Sequence, residues 1–301
     1  MSAERDGLVI AHLGKGVAVE GANGAIVLCH TRRRLGDVTV GDRVRWVACD
    51  GDLGRVESVL PRTSCLLRPG YAGKLRYVAA NLDRIYVVLA PLPEPDWLLV
   101  DQFLAVTEAR DIDARLLVNK ADLTATAGSD GISARLREYE MAGYTVRAVS
   151  ALQRTGMDAL MSELQGQCSM FVGQSGVGKS SLTNTLLPER DLRIGEISEK
   201  SGLGRHTTTT ATLYHLPGGG DLIDSPGVAV FGLAEMNWNQ LAWSYREFQS
   251  LIPNCRFNDC RHAGDKGCAI MDAVNRDKVS AARYQRFLKL GEKLSSQMSG
   301  V

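Results

Sequence analysis

The sequence predicts a multidomain α/β protein in three stretches: short strands first, alternating strands and helices next, helices alone at the end. Three observations predict it. Glycine-broken strand patterns fill the first seventy residues, buried β-branched runs alternate with amphipathic stretches from 84 to 188, and strand patterns cease after Met236. A chain of 301 residues is also longer than one core usually supports. The expected boundaries are 1–70, 71–234 and 235–301.

The first stretch reads as five strands, Leu8 to Leu13, Gly16 to Val19, Ala25 to Cys29, Val44 to Ala48 and Val56 to Leu60. Gly-Lys-Gly, Ala-Asn-Gly, Gly-Asp and Asp-Gly-Asp turns separate them. Five short strands at this spacing predict a small barrel of the OB type, with an SH3-like barrel giving much the same pattern.

After Pro61 the texture changes. Arg84 to Ala90 is a continuous apolar run, as a strand buried on both faces requires. Pro95 opens a helix with Leu99, Phe103 and Val106 on one face. Strands follow at Ala114 to Val118, Tyr144 to Val149 and Cys168 to Val172, with helices marked by Ile132, Leu136 and Tyr139, by Met157 to Leu164, and by Leu182 and Leu186 before Pro188. Alternation of this kind predicts a mostly parallel sheet with helices on both faces. Tyr284, Phe287 and Leu288 predict a closing helix.

Composition excludes several classes. With 45% hydrophobic and 23% charged residues the chain is neither disordered nor fibrous. Thirty-five basic against 34 acidic residues give a net charge of +1, which excludes a general basic coat for nucleic acid but not a local basic face. The first residues lack a signal-peptide layout, and the longest apolar runs are about half the length of a membrane span. A soluble, cytoplasmic protein without membrane partners is expected.

Gly173-Gln174-Ser175-Gly176-Val177-Gly178-Lys179-Ser180 fits G-x-x-x-x-G-K-[ST] at every fixed position, between a predicted strand and a predicted helix. Glycines there let backbone N–H groups turn inward on a β-phosphate, and the helix N-terminus adds its positive end. Lys179 would bridge the β- and γ-phosphates, Ser180 would hold Mg²⁺, and Ser181 continues the motif. Asn119-Lys120-Ala121-Asp122 ends a predicted strand, where α/β sheets bind ligands. The Asp122 carboxylate can accept from guanine N1–H and N2–H₂, an edge adenine does not offer. Asn119 can tether the loop and reach N7, and the Lys120 stem can cover the base plane. Ser150 and Ala151, after the next strand, suit a backbone contact to guanine O6.

Asp224-Ser225-Pro226-Gly227 follows a short strand at Asp221 to Ile223. The carboxylate suits a water-mediated hold on Mg²⁺, and the Gly227 N–H suits γ-phosphate sensing. Upstream, 202–210 (GLGRHTTTT) is a hydroxyl-rich stretch in which Thr207 or Thr208 would complete the Mg²⁺ shell. In most GTPases the phosphate loop precedes the guanine loop; here Asn119 precedes Lys179, and Asp224 comes last. That order describes a circularly permuted P-loop GTPase of Ras-like sheet, rejoined through its old termini. The permutation attaches whatever follows Gly227 directly to the second switch.

Cys255-x₄-Cys260-x-His262-x₅-Cys268 places three thiols and an imidazole within fourteen residues. Four such ligands suit one tetrahedral Zn²⁺ with no open position, hence a structural ion for a segment of about sixty-five residues that could hardly build its own core. Free thiols beside a surface histidine are the alternative. Four further cysteines are scattered, and His12, His30 and His215 have no such partners and read as structural.

Through GQSGVGKSS, GRHTTTT, LIDSPG, the permuted order, the barrel and the cysteine-rich tail, the sequence resembles the circularly permuted, ribosome-small-subunit-dependent GTPase family (RsgA, YjeQ, YloQ) over nearly its whole length. The resemblance implies GTP hydrolysis to GDP stimulated by the small ribosomal subunit, a role in late subunit maturation, and a barrel and zinc domain that grip ribosomal RNA. Other assembly factors are further expected partners, and the chain itself is expected to be a monomer. The resemblance also suggests His206 as the group that orders water, because Val228 stands where many GTPases carry a glutamine and slow intrinsic hydrolysis follows. Candidate RNA contacts are Arg32, Arg33 and Arg34, then Arg43, Arg45, Arg62, Arg68, Lys74 and Arg76, and in the tail Arg276, Lys278, Arg283, Arg286 and Lys289. The alternative is an RNA-binding module in which GTP is a structural ligand. A P-loop small-molecule kinase is disfavoured, since it has no use for Asn119 to Asp122.

Overall fold

The computed structural model describes residues 3–13, 16–70, 74–123, 130–188, 211–225, 233 and 236–298. The chain divides into two compact units, Met1–Arg84 with Met157–Phe171 and Ser180–Val228, and Ile85–Gly156 with Val172–Lys179 and Ala229–Val301.

In the first unit, β1 (Arg5–His12), β2 (Val17–Gly21), β3 (Ile26–His30), β4 (Arg43–Ala48) and β5 (Leu53–Val59) close a ring. Strand β1 runs antiparallel to β2 and β4, β2 to β3 and β4 to β5, while β3 and β5 pair in parallel. This is the OB-type order, so the SH3-like alternative falls away. Val9, Val17, Val19, Cys29, Val44, Trp46 and Val56 fill the interior, each such valine contributing roughly 1.5–3 kcal/mol by leaving water. Gly54 gives the indole its room: a Cβ there would come within 2.5 Å of Cys29 Sγ and 2.9 Å of the Trp46 ring.

Two features of this unit were not read from the sequence. Strands β6 (Cys65–Pro69) and β7 (Leu75–Ala80) form an antiparallel hairpin. Strand β12 (Thr212–His215) runs antiparallel to β13 (Asp221–Asp224) and meets β1 where Ala11 faces Thr212. The pairing places His215 between two carboxylates, Nδ1 at 2.5 Å from Asp221 Oδ1 and Nε2 at 2.5 Å from Glu20 Oε2. The sequence gives no hint of these partners, because Glu20 lies 195 residues away. They push the imidazole pKa up to about 9, the Asp221 hydrogen bond acting most strongly. The same unit holds α3 (Met157–Leu164), β11 (Cys168–Val172) parallel to β13, and most of α4 (Lys179–Leu186), whose Leu182 and Leu186 are buried as predicted.

In the second unit, β8 (Arg84–Leu89), β9 (Asp113–Val118) and β10 (Thr145–Ala148) lie in the order β10-β9-β8, with β9 and β10 parallel. Helix α1 (Trp97–Glu108) starts where Asp96 accepts from Leu98 N and Leu99 N, both at 3.0 Å. Helix α2 (Asp130–Met141) follows. The tail contributes α5 (Trp238–Trp243), α6 (Arg246–Gln249), α7 (Ala269–Asn275) and α8 (Ala281–Met298), and among the described residues it has no strand. The fully buried Phe287 ring is met edge-on by Trp238, Tyr245 and Phe248 at 5.2–5.8 Å.

Helix α8 is joined to α1 by buried charge. Arg283 Nη1 donates to Asp101 Oδ1 at 2.7 Å, Arg286 Nε donates to Asp101 Oδ2, and Arg283 Nε donates to Glu247. Asp101 and Arg283 are almost wholly buried. This corrects the expectation that Arg283 and Arg286 face RNA: burying a guanidinium demands a carboxylate, and Asp101 supplies it. Arg62 is corrected likewise. It donates to both oxygens of buried Asp42, at 2.7 and 2.8 Å, and stacks on Tyr77. Arg32 and Arg34 lie near Glu57, and Arg45 near Glu4 and Asp6, yet all three side chains stay more than one-third exposed.

Among the described residues, no helix is long and apolar enough to cross a membrane.

Candidate functional site

The phosphate loop turns as its glycines predict. Gly173, Gly176 and Gly178 have φ of 143°, 83° and 92°, a region that side chains rarely adopt. A Cβ at Gly173 would strike the Val88 carbonyl, and one at Gly178 would strike the Asn119 amide. Val177 is buried beneath the loop, whereas Ser175 is exposed. Lys179 opens α4 and folds its ammonium back over the loop, donating to Gly173 O at 2.7 Å and Gln174 O at 2.8 Å. The charge therefore stands at the loop's mouth. Ser180 and Ser181 occupy the exposed first turn of α4.

The 119–122 segment is fastened to that loop within the same unit. Strand β9 ends at Val118, and the Asn119 N–H donates to Leu89 O at 2.8 Å. The buried Asn119 side chain donates from Nδ2 to Val177 O at 3.0 Å and accepts at Oδ1 from Ala151 N at 3.2 Å. Of the two roles expected for Asn119, the tether is the one these bonds serve. Lys120, with φ of 57°, donates from Nζ to Gly176 O at 2.7 Å and Leu92 O at 2.9 Å. Its stem is thus stretched along the edge of the phosphate loop. Ala121 N donates to Val149 O at 3.0 Å. Ser150 Oγ donates to Asp122 Oδ1 at 2.5 Å and accepts from Gln153 N at 3.0 Å, so the serine orients the carboxylate. Three segments distant in sequence, 119–122, 150–153 and 173–179, form one hydrogen-bonded group.

Asp224 ends β13, where it faces Thr212, and belongs with Ser180 to the first unit. His206, Thr207, Thr208, Gly227 and Val228 lie outside the described residues.

Cys255, Cys260, His262 and Cys268 come together in the tail, with all four ligand atoms within 4.8 Å of one another. His262 Nδ1 is 3.5 Å from both Cys255 Sγ and Cys268 Sγ. A tetrahedron with zinc–sulfur bonds of about 2.3 Å and a zinc–nitrogen bond of about 2.0 Å has edges of about this length. Backbone amides aim at the sulfurs, Ala269 N at Cys255 and Met271 N at Cys268. His262 adopts φ of 59°, and its carbonyl accepts from Tyr284 at 2.6 Å, which ties the cluster to α8. Burial pushes the Cys260 thiol up to about 12, so holding it as thiolate calls for a cation. The free-thiol alternative is disfavoured by this convergence.

Comparison with known proteins decides the family. The RsgA GTPase family model matches residues 59–234. The chain belongs to the RsgA GTPase family. It is accordingly a GTP-hydrolysing enzyme, and GTP, GDP and Mg²⁺ are the family's nucleotide and ion. The small ribosomal subunit biogenesis GTPase RsgA of Pseudomonas aeruginosa PAO1 is 46% identical over 287 residues, covering 95% of this chain and 85% of that protein. The RsgA of Azotobacter vinelandii is 46% identical with the same coverage. YjeQ from Thermotoga maritima matches with a TM-score of 0.77 and 30% identity, over 97% of this chain and 99% of that one. YloQ, described as a circularly permuted GTPase, matches with a TM-score of 0.76 and 25% identity, over 98% and 96%. The permuted order inferred from Asn119 and Lys179 is thus a property this RsgA-family chain shares with its structural relatives.

Proposed function

We propose that this chain is a GTP/GDP switch acting on the small (30S) ribosomal subunit in its late maturation, with hydrolysis stimulated by the subunit. The observation that carries the reading is the joining of 119–122 to the phosphate loop, Lys120 Nζ to Gly176 O and Asn119 Nδ2 to Val177 O. A base reader and a phosphate cradle so fastened select a guanine nucleotide as one ligand. The relatives' shared name supplies the subunit.

In this reading Gly173 to Gly178 cradle the phosphates, and Lys179 draws off charge that builds up as the γ-phosphoryl leaves. Ser180, Asp224 and Thr207 or Thr208 would hold Mg²⁺, which screens the phosphates when bound. Gly227 senses the γ-phosphate, and His206 orders the attacking water in place of Val228. Asp122 accepts from the guanine edge, and the backbone of the Ser150–Ala151 loop would contact O6. Cys255, Cys260, His262 and Cys268 hold one structural Zn²⁺, with no position left for chemistry. Residues 1–70 form an RNA-binding barrel, 71–234 the permuted GTPase domain and 235–301 the zinc domain. The barrel and tail grip ribosomal RNA through exposed arginines such as Arg32, Arg33 and Arg34. The protein works in the cytoplasm as a monomer, alone or beside other assembly factors.

The test is sedimentation of the chain with purified small subunits, loaded with a non-hydrolysable GTP analogue or with GDP. Co-sedimentation stronger with the analogue supports the switch. Equal or no co-sedimentation in both states removes it.

A further inference from the structure

We infer that Gln174 is a positioning residue for base recognition, its side-chain amide clamping the 92–96 segment to the phosphate loop and so setting Lys120. The inference deepens the proposed nucleotide site and rests on that assignment. Gln174 Oε1 accepts from Asp96 N at 2.8 Å, and Nε2 donates to Glu94 O at 2.9 Å. The amide thus behaves like a peptide group, filling a donor and an acceptor of a backbone segment that is outside any strand. The clamped segment bears the Leu92 carbonyl, which accepts from Lys120 Nζ at 2.9 Å. The second acceptor for that ammonium, Gly176 O at 2.7 Å, lies two residues beyond Gln174 in the same loop.

Of the two acceptors of Lys120, the Leu92 carbonyl lies on the segment this side chain clamps, whereas Gly176 O belongs to the loop itself. The segment also sits close against the loop, because a Cβ at Gly176 would touch the Pro93 ring at 3.5 Å. Loss of the clamp frees Leu92 O, leaves Lys120 with one anchor, and lets its stem leave the plane in which it would cover the base. The phosphate-facing groups, Lys179 and the loop amides, keep their own bonds. Gln174 thus acts through Lys120 rather than on the phosphates, although its place inside the phosphate motif suggests a direct ligand contact.

A double-mutant cycle on the full chain, read by titration of a fluorescent GDP analogue, tests this. Gln174→Met keeps length and approximate volume while removing both hydrogen bonds, and it is expected to weaken binding about tenfold. In a Lys120→Ala background the same change is expected to cost less than about twofold. Gln174→Ala likewise removes both hydrogen bonds and adds no charge beside the phosphates, so a similar loss is expected, and it carries the cycle if the Met variant does not fold. Unchanged affinity in Gln174→Met, or an equal loss in both backgrounds, overturns the proposal. Wild-type GDP binding by Lys179→Ala and Lys120→Ala together would instead overturn the site assignment on which it rests.

Discussion

The Asn119 amide donates to the Val177 carbonyl at 3.0 Å across 58 residues of chain. In an unpermuted GTPase the phosphate loop comes first; here the order is reversed, but 119–122 is still hydrogen-bonded to 173–179. What the nucleotide needs is spatial, and hydrogen bonds that ignore chain direction supply it. Residues 119–122, 150–153 and 173–179 therefore act as one preformed group rather than as three independent motifs.

In the proposed site, Asp122 is the residue of that group that would read the base. Its carboxylate, oriented by Ser150 at 2.5 Å, offers acceptors alone. Asp122→Asn turns one of them into a donor, which opposes the guanine N2–H₂ and matches a carbonyl at that position. GTP affinity is expected to fall by about a hundredfold or more, with xanthosine triphosphate becoming the preferred ligand. Competition binding with both nucleotides checks this.

The thiol–imidazole cluster should hold metal at about one zinc ion per chain. Metal analysis of purified protein measures it directly. Cys260→Ser is expected to lower zinc content and to lower the melting temperature, because the tail builds α7 from the Cys268 cap and ties α8 to the His262 carbonyl.

Asp101 bears two buried guanidiniums. Asp101→Asn leaves Arg283 and Arg286 undercompensated and is expected to cost about 3–5 kcal/mol. Denaturant titration of the wild type and variant measures it. Replacing both arginines by apolar side chains and Glu247 by Gln in the Asp101→Asn background should recover part of the loss, since Glu247 would otherwise be left largely buried without its Arg283 partner.

His215 gives the barrel-bearing unit a pH dependence. Its folded pKa is raised from 6.5 to about 9 by Asp221 and Glu20. The stabilisation is complete below pH 6.5 and is lost as pH rises through about 9, because the folded state holds the proton more tightly than the unfolded state. The side chain is 38% exposed, so solvent screening keeps the effect modest. The melting temperature of the wild type is expected to fall more than that of His215→Gln between pH 6.5 and pH 9.5. Parallel slopes for the two proteins would remove the assignment.

Much of this was legible in the sequence, for local reasons. The apolar run Arg84 to Ala90, the helix Met157 to Leu164 and the glycine turns of the barrel each carry their own periodicity, and the structure has an element at each. The phosphate loop, the guanine loop and the cysteine cluster were legible because their chemistry fixes residue types at fixed spacings. The β6–β7 hairpin was not, since Pro69, Gly70 and the facing pair Arg68 and Arg76 break the alternation that marks a strand. Strand β12 was missed because four residues give too short a pattern, and its partner β1 lies some two hundred positions away. The buried Arg283 and Arg286 were misread for a related reason. An arginine on a helix looks solvated until the carboxylate that neutralises it is known, and Asp101 is 182 residues from Arg283. Gln174 shows the same limit within a motif, for its partners Glu94 and Asp96 belong to another loop.

A guanine-selective hydrolytic site whose turnover depends on the small ribosomal subunit can be tested by turnover itself. The most direct measurement is GTP and ATP hydrolysis at fixed Mg²⁺, with and without purified small subunits, for the wild type and Lys179→Ala. Large stimulation of GTP turnover alone, abolished by Lys179→Ala, is the predicted result. Equal use of ATP, or GTP turnover indifferent to the subunit, would contradict it.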